Sequence, residues 1–115
     1  MNELRRVSII GLGLLGGSVA LAVRQRMPGT AVVGYSHRPA TRRRARNLGI
    51  VTKTAGNLKA AVADADLVVL ATPIFTFEEY FRDLSQFVPP GAIVTDTEVQ
   101  WEDYKGEFGT FEMRH

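Results

Sequence analysis

The 115-residue chain contains no cysteine. Its absence excludes a disulfide framework, a thiolate metal site and a cysteine nucleophile. Histidine occurs at only two positions, 37 and 115, and no metal-ligand spacing or Ser/His/Asp set can be assembled around either. No apolar run approaches the ~20 residues of a membrane span. The opening stretch Met1-Asn2-Glu3-Leu4-Arg5-Arg6 runs straight into a strand pattern and leaves no room for a signal peptide, so a cytoplasmic protein without membrane contact is expected. The length suits one domain and is short for a nucleotide domain plus a full substrate domain. The apolar and charged fractions, 45% and 23%, are ordinary for a globular chain.

The net charge of +2 hides an asymmetry. Residues 1–96 hold twelve Lys and Arg against seven Asp and Glu, whereas residues 97–115 hold two against five. The basic excess sits largely in Arg38, Arg42, Arg43, Arg44 and Arg46. No aromatic stacking pattern or nucleic-acid motif accompanies that cluster, so a nucleic-acid partner is not expected.

What the chain does have is a glycine-rich junction at residues 7–23. An apolar run, Val7-Ser8-Ile9-Ile10, meets Gly11-Leu12-Gly13-Leu14-Leu15-Gly16, and apolar residues recur at Leu15, Val19, Ala22 and Val23. This reads as strand, tight turn and helix, the context in which G-x-G-x-x-G signals a dinucleotide. Gly11 allows the tight turn, Gly13 allows close approach of a pyrophosphate, and Gly16 lets the helix pack against its strand. The helix start then offers unpaired N–H groups and the positive end of its dipole.

Further strands are expected at 30–35, 50–52, 66–71 and 92–96. Helices are expected from Leu14 to about Met27, from Pro39 to Gly49 with Thr41, Ala45 and Leu48 facing inward, from Asn57, and from Thr76. Asn57 suits an N-cap, and Thr76 with Glu79 three residues on suits a capping box. The helix that follows would bury Phe77, Phe81 and Leu84. Strands alternating with helices imply right-handed βαβ units, hence an α/β, Rossmann-type, doubly wound and mostly parallel sheet in three layers, α/β/α. Residues 1–96 are expected to form this dinucleotide-binding domain. Residues 97–115 form an acidic tail with Trp101, Tyr104, Phe108 and Phe111, expected to be a partly ordered extension.

In such a sheet the ligand lies outside the carboxyl ends of the strands. The cofactor-binding candidates are therefore Gly11, Gly13, Leu14, Leu15 and Gly16, then Ser36, His37 and Arg38, then Ala71, Thr72 and Pro73. An NAD-specific site would place an acid at position 36 to hold the ribose hydroxyls. Ser36 followed by arginines would instead take a 2′-phosphate, so NADP is preferred over NAD. The competing reading is that Ser36 caps the second helix and the arginines are only solvated. His37 sits at the adenosine end and His115 is the last residue, so no catalytic residue is assigned.

Val7 to Asp96 resembles the N-terminal nucleotide-binding domain of prephenate and arogenate dehydrogenases. The resemblance rests on Ile9-Ile10-Gly11-Leu12-Gly13-Leu14-Leu15-Gly16-Gly17-Ser18, Val33-Gly34-Tyr35, Ala45-Arg46-Asn47-Leu48-Gly49-Ile50, the stretch from Ala63 to Pro73, and Pro90-Gly91-Ala92-Ile93-Val94-Thr95-Asp96. It implies oxidative decarboxylation on the way to tyrosine, with hydride passed to a nicotinamide cofactor. Members usually carry an acid where this chain has Ser36, which again points to NADP. Beyond Asp96 the chain departs from the family's pattern, which continues with a catalytic histidine segment and a helical dimerisation domain. The expectation is a cofactor domain incomplete for catalysis, or else a non-catalytic NADP(H)-binding module. A homodimer or a separate substrate domain would cover its apolar surface.

Overall fold

The computed structural model describes residues 4–97 and 111–112. Strands β1 (Arg6–Ile10), β2 (Ala31–Tyr35), β3 (Lys53–Thr54), β4 (Leu67–Leu70), β5 (Ile93–Asp96) and β6 (Phe111–Glu112) form one sheet in the order β3-β2-β1-β4-β5-β6. The first five are parallel, and β6 lies antiparallel on β5 with Val94 opposite Phe111. Helices α1 (Leu14–Arg26), α2 (Pro39–Asn47), α3 (Leu58–Val62) and α4 (Phe77–Phe87) connect the parallel strands. The order reverses between β1 and β4, which opens a crevice at their carboxyl ends.

Strand alternation creates the three layers. Val7 and Ile9 pack with Val32, Val51 and Val69 beneath Ala20 of α1 and Ala45 of α2. Ile10 turns the other way and joins Val68, Leu70 and Val94 beneath Ala61 and Val62 of α3 and Leu84 of α4. Each fully buried Val, Leu or Ile contributes roughly 1.5–3 kcal/mol through removal from water. Ser8 is fully buried on the α3 side, and its hydroxyl donates to the Ala61 carbonyl at 2.5 Å, which removes the penalty of an unpaired polar group. At the amino ends of the strands, the Asp66 carboxylate accepts from the N–H groups of Arg5 and Arg6 at 2.8 and 3.1 Å.

Five local expectations are corrected. The third strand is Lys53–Thr54 rather than 50–52: the Thr52 N–H still donates to the Val32 carbonyl at 2.8 Å, but the Val32 N–H donates to the Thr52 hydroxyl instead of a backbone carbonyl, so the ladder starts one step later. Leu48 lies past the last turn of α2 and is 63% exposed, so the inner face of that helix rests mainly on Ala45. Helix α1 buries its small residues Gly16 and Ala20 and packs Val19 and Val23 beside them as expected, with Leu15 and Ala22 outside. Asn57 does cap α3, accepting from the Ala60 N–H at 2.8 Å, but Thr76 makes no capping bond. A single 3-10 turn, Ile74–Thr76, precedes α4 and aims the Thr76 hydroxyl at the Pro73 carbonyl, 2.6 Å away. Leu84 is buried as expected, whereas Phe77 and Phe81 are half-buried and meet edge to face at 6.0 Å. Trp101, Tyr104 and Phe108 fall outside the described residues.

Candidate functional site

The glycine loop is held by contacts that only glycine permits. Gly11 adopts φ +101°, and a Cβ there would lie 2.8 Å from the Ala71 carbonyl oxygen and 3.0 Å from Thr72 Cγ2. A Cβ on Gly16 would lie 1.8 Å from the Gly11 carbonyl oxygen, so α1 can start this close to β1 only without one. Gly13 differs from both. It is exposed, its φ is −75°, and a Cβ there would meet nothing within 4 Å. The protein itself does not demand glycine at that position, and the space in front of it is open to a ligand.

Gly13 is the N-cap of α1, where no side chain accepts a capping bond and no acidic residue sits in the first turn. The first helical bond runs from Gly17 N–H to the Gly13 carbonyl at 2.8 Å, so the preceding N–H groups face outward with the positive end of the helix dipole. This cradle fits a pyrophosphate: unfilled donors, room at Gly13 and no competing anion.

The other candidates converge on the same edge. The Gly11 N–H donates to the Tyr35 carbonyl at 2.8 Å, and the Ala71 N–H donates to the Ile10 carbonyl at 2.7 Å. These bonds bring the ends of β1, β2 and β4 together, and with them Ser36–Arg38 and Ala71–Pro73. Leu14 and Leu15 stand at the helix start, 88% and 48% exposed, and Phe75 beyond Pro73 is 84% exposed. Phe75 was not among the residues singled out from the sequence. Its only signal was an aromatic just after a strand-ending Thr-Pro.

At the β2 tip, Ser36 is nearly buried, and its hydroxyl accepts from the Arg38 N–H at 3.2 Å. The hydroxyl keeps its own proton for another acceptor. His37 and Arg38 are exposed, and Arg38 is the N-cap of α2 without a side-chain capping bond. Arg42, one turn further on, donates from Nη1 to the Ser36 carbonyl at 2.6 Å. The tip therefore carries positive charge and no carboxylate.

Hollows open at both ends of the sheet. One of about 720 Å3, lined by Leu4, Arg5, Asp64, Asp66 and Pro90 among others, opens at the amino ends of the strands, opposite the glycine loop. Its size does not make it the site, because it lacks the uncapped helix start and the switch point. An apolar groove of about 530 Å3 starts at Gly13 in the glycine loop and runs between α1 and α2, with Leu12, Leu14, Leu21, Leu48 and Ile50 along it. Among the described residues no group of three His, Asp or Glu is placed to hold a metal, and no helix is long and apolar enough to cross a membrane.

A parallel sheet with this switch point and cradle defines a dinucleotide-binding domain of the doubly wound class. Residues 19–100 match the family model described as prephenate dehydrogenase, nucleotide-binding domain, and the chain belongs to that family. A prephenate dehydrogenase of Lactococcus lactis is 32% identical over 94 residues, which are 81% of this chain and 26% of that protein. Among solved structures, prephenate dehydrogenase from Aquifex aeolicus, in complex with hydroxyphenyl propionate and NAD+, superposes with a TM-score of 0.75 at 33% identity. That match covers 83% of this chain and 34% of the other. Synechocystis arogenate dehydrogenase gives 0.77 at 29% identity, over 87% and 35%. The chain thus spans a fifth to a third of the curated dehydrogenases it matches. A 25-residue stretch, 22% of the chain, is 68% identical to an acylphosphatase of Pyrobaculum aerophilum, covering 26% of that protein. So short a share leaves the family assignment unchanged.

Proposed function

We propose that the chain is the cofactor half of a prephenate- or arogenate-type dehydrogenase, binding a nicotinamide dinucleotide across the ends of β1, β2 and β4 with NADP(H) preferred over NAD(H). The observation that carries this reading is the contrast within the loop: Gly11 and Gly16 are required by the protein's own packing, and Gly13 is left open beside an uncapped helix start. Gly13 with the first-turn N–H groups at Leu14, Leu15 and Gly16 would hold the pyrophosphate. Ala71, Thr72 and Pro73 would form the wall along which the dinucleotide crosses the sheet. The Ser36 hydroxyl and the Arg38 guanidinium would take the 2′-phosphate, where an acid would repel it. A nicotinamide held there would supply the hydride acceptor for an oxidative decarboxylation.

No described residue is assigned as the catalytic base. Among the described residues the one histidine, His37, stands at the ribose end. Residues 1–96 are the cofactor domain in this reading, and residues 97–115 extend it. A cytoplasmic setting and a homodimer complete it, the dimer supported by the exposed Leu14, Leu21, Leu48 and Phe75. The second reading, a non-catalytic NADP(H)-binding module, is favoured by the same lack of an assigned base.

Affinities for NADPH and NADH, measured by cofactor fluorescence in the wild type, Arg38→Ala and Ser36→Asp, test the cofactor preference. A wild-type preference for NADPH that shrinks in both variants is expected. Equal affinity for the two cofactors in all three proteins would sink it. Prephenate- or arogenate-dependent NADPH formation separates the two readings, since turnover by this chain would refute the binding-only one. Light scattering at tens of micromolar tests the dimer, and a monomer there would contradict it.

A further inference from the structure

We infer that Arg42, rather than the exposed Arg38, is the principal determinant of 2′-phosphate specificity, acting with the arginine-lined hollow that continues from it along α2. The inference rests on the reading that the site takes NADP(H), and it deepens that reading by naming the groups that recognise the phosphate monoester.

Three observations support it. The Arg42 guanidinium is fixed: Nη1 donates to the Ser36 carbonyl at 2.6 Å, and the side chain is partly buried. One arm of its planar fork is thereby spent on the backbone of the β2 tip, and the remaining donors stay available there. Second, Arg42 also lines a hollow of about 260 Å3 together with Pro39, Arg43, Arg46, Asn47 and Thr54, and none of these is acidic. Third, the ion pairs among the described residues join Arg6 to Asp64 and Arg82 to Glu78, so the three guanidiniums of the hollow stand without a carboxylate. Like charges gathered this closely repel one another, and a dianionic phosphate relieves that repulsion while accepting charge-assisted bonds.

The ranking of Arg42 over Arg38 follows from preorganisation. Arg38 is exposed, and its contact with Ser36 runs through its backbone N–H, so its side chain must be ordered when ligand binds. Arg42 is already placed before ligand arrives, and its ordering cost is small.

Isothermal titration with 2′,5′-ADP and 5′-AMP tests this, because the two probes differ only in the 2′-phosphate. The wild type is expected to prefer 2′,5′-ADP. In Arg42→Ala that preference should fall by roughly tenfold to a hundredfold, the range for a charge-assisted bond, and by more than it falls in Arg38→Ala. Arg42→Lys keeps the charge but not the fork and should restore only part of it, which keeps the inference testable even if the alanine variant folds poorly. Equal weakening of both probes in Arg42→Ala would assign Arg42 a structural role and overturn the inference. So would a preference lost in Arg38→Ala and kept in Arg42→Ala, with the NADP reading left standing. A wild type that does not distinguish the two probes would overturn both.

Discussion

Replacing Gly16 by alanine tests the geometry of the loop with a single methyl group. The added Cβ would lie 1.8 Å from the Gly11 carbonyl oxygen, 2.9 Å from the Gly11 carbonyl carbon and 3.2 Å from Ala71 Cβ. Carbon and its neighbours settle at about 3.5–4.0 Å, so the oxygen would have to retreat by roughly 1.5 Å or more. Gly11 has little freedom to do so, because its N–H is bonded to Tyr35 and its φ is already +101°. Overpacking costs about 1–3 kcal/mol, and a collision with backbone belongs at the upper end. Alanine in a helix recovers about 1 kcal/mol relative to glycine. The net loss is therefore on the order of 2 kcal/mol, which for a domain of this size lowers Tm by roughly 8–16 °C. Gly17 supplies the control: it lies in the same helix, and a methyl added there would meet nothing within 4 Å, so Gly17→Ala should raise Tm by several degrees. Thermal unfolding followed by circular dichroism reads both. A Gly16→Ala protein as stable as the wild type would refute the packing argument.

Other consequences concern the scaffold. Asp66→Ala removes the acceptor of the exposed Arg5 and partly buried Arg6 N–H groups and should cost about 1 kcal/mol in urea unfolding, and an unchanged midpoint would contradict the role given to that carboxylate. Asn57→Ala removes the α3 cap and should cost about 1 kcal/mol by the same assay. Burial, and after it the neighbouring Tyr35, Glu79 and Asp83, hold the Tyr80 phenol above its ordinary value of 10.0. The unfolded chain then loses this proton first, so the stability tied to the neutral phenol is intact below pH 10 and declines as pH rises through the folded value. Tyr80→Phe should flatten that alkaline decline, and identical pH profiles for the two proteins would remove Tyr80 as its source.

The parallel strands were legible because strands buried on both faces must be nearly continuous apolar runs, as in Val7–Ile10 and Leu67–Leu70. The glycine loop was legible for a related reason, since spacing alone tied Gly11 and Gly16 to close backbone contacts that the fold contains. What stayed hidden depended on contacts between distant segments. The start of β3 moved because the Thr52 hydroxyl takes the Val32 N–H, and Thr76 turned from capping to the Pro73 carbonyl because a 3-10 turn intervenes. Arg42 stood out only as one of five arginines until α2 folded back and placed it under the Ser36 carbonyl. Leu15 matched an inward helical period, yet the Gly16 contact draws α1 so near to β1 that Gly16 and Ala20 take the buried positions, with Val19 and Val23 beside them.

Whether the loop holds a dinucleotide is decided by NADPH titration of the wild type against Gly13→Ala. Gly13 has an ordinary φ and open space around it, so alanine there clashes with nothing and costs only its poorer fit at the N-cap, about 1 kcal/mol or a few degrees of Tm, which leaves the protein folded. The account predicts saturable wild-type binding with Kd on the order of micromolar and a loss of roughly tenfold or more in Gly13→Ala, because the methyl enters the space reserved for the pyrophosphate. A wild type that fails to bind NADPH, or a folded Gly13→Ala protein that binds it as well as the wild type does, would contradict it.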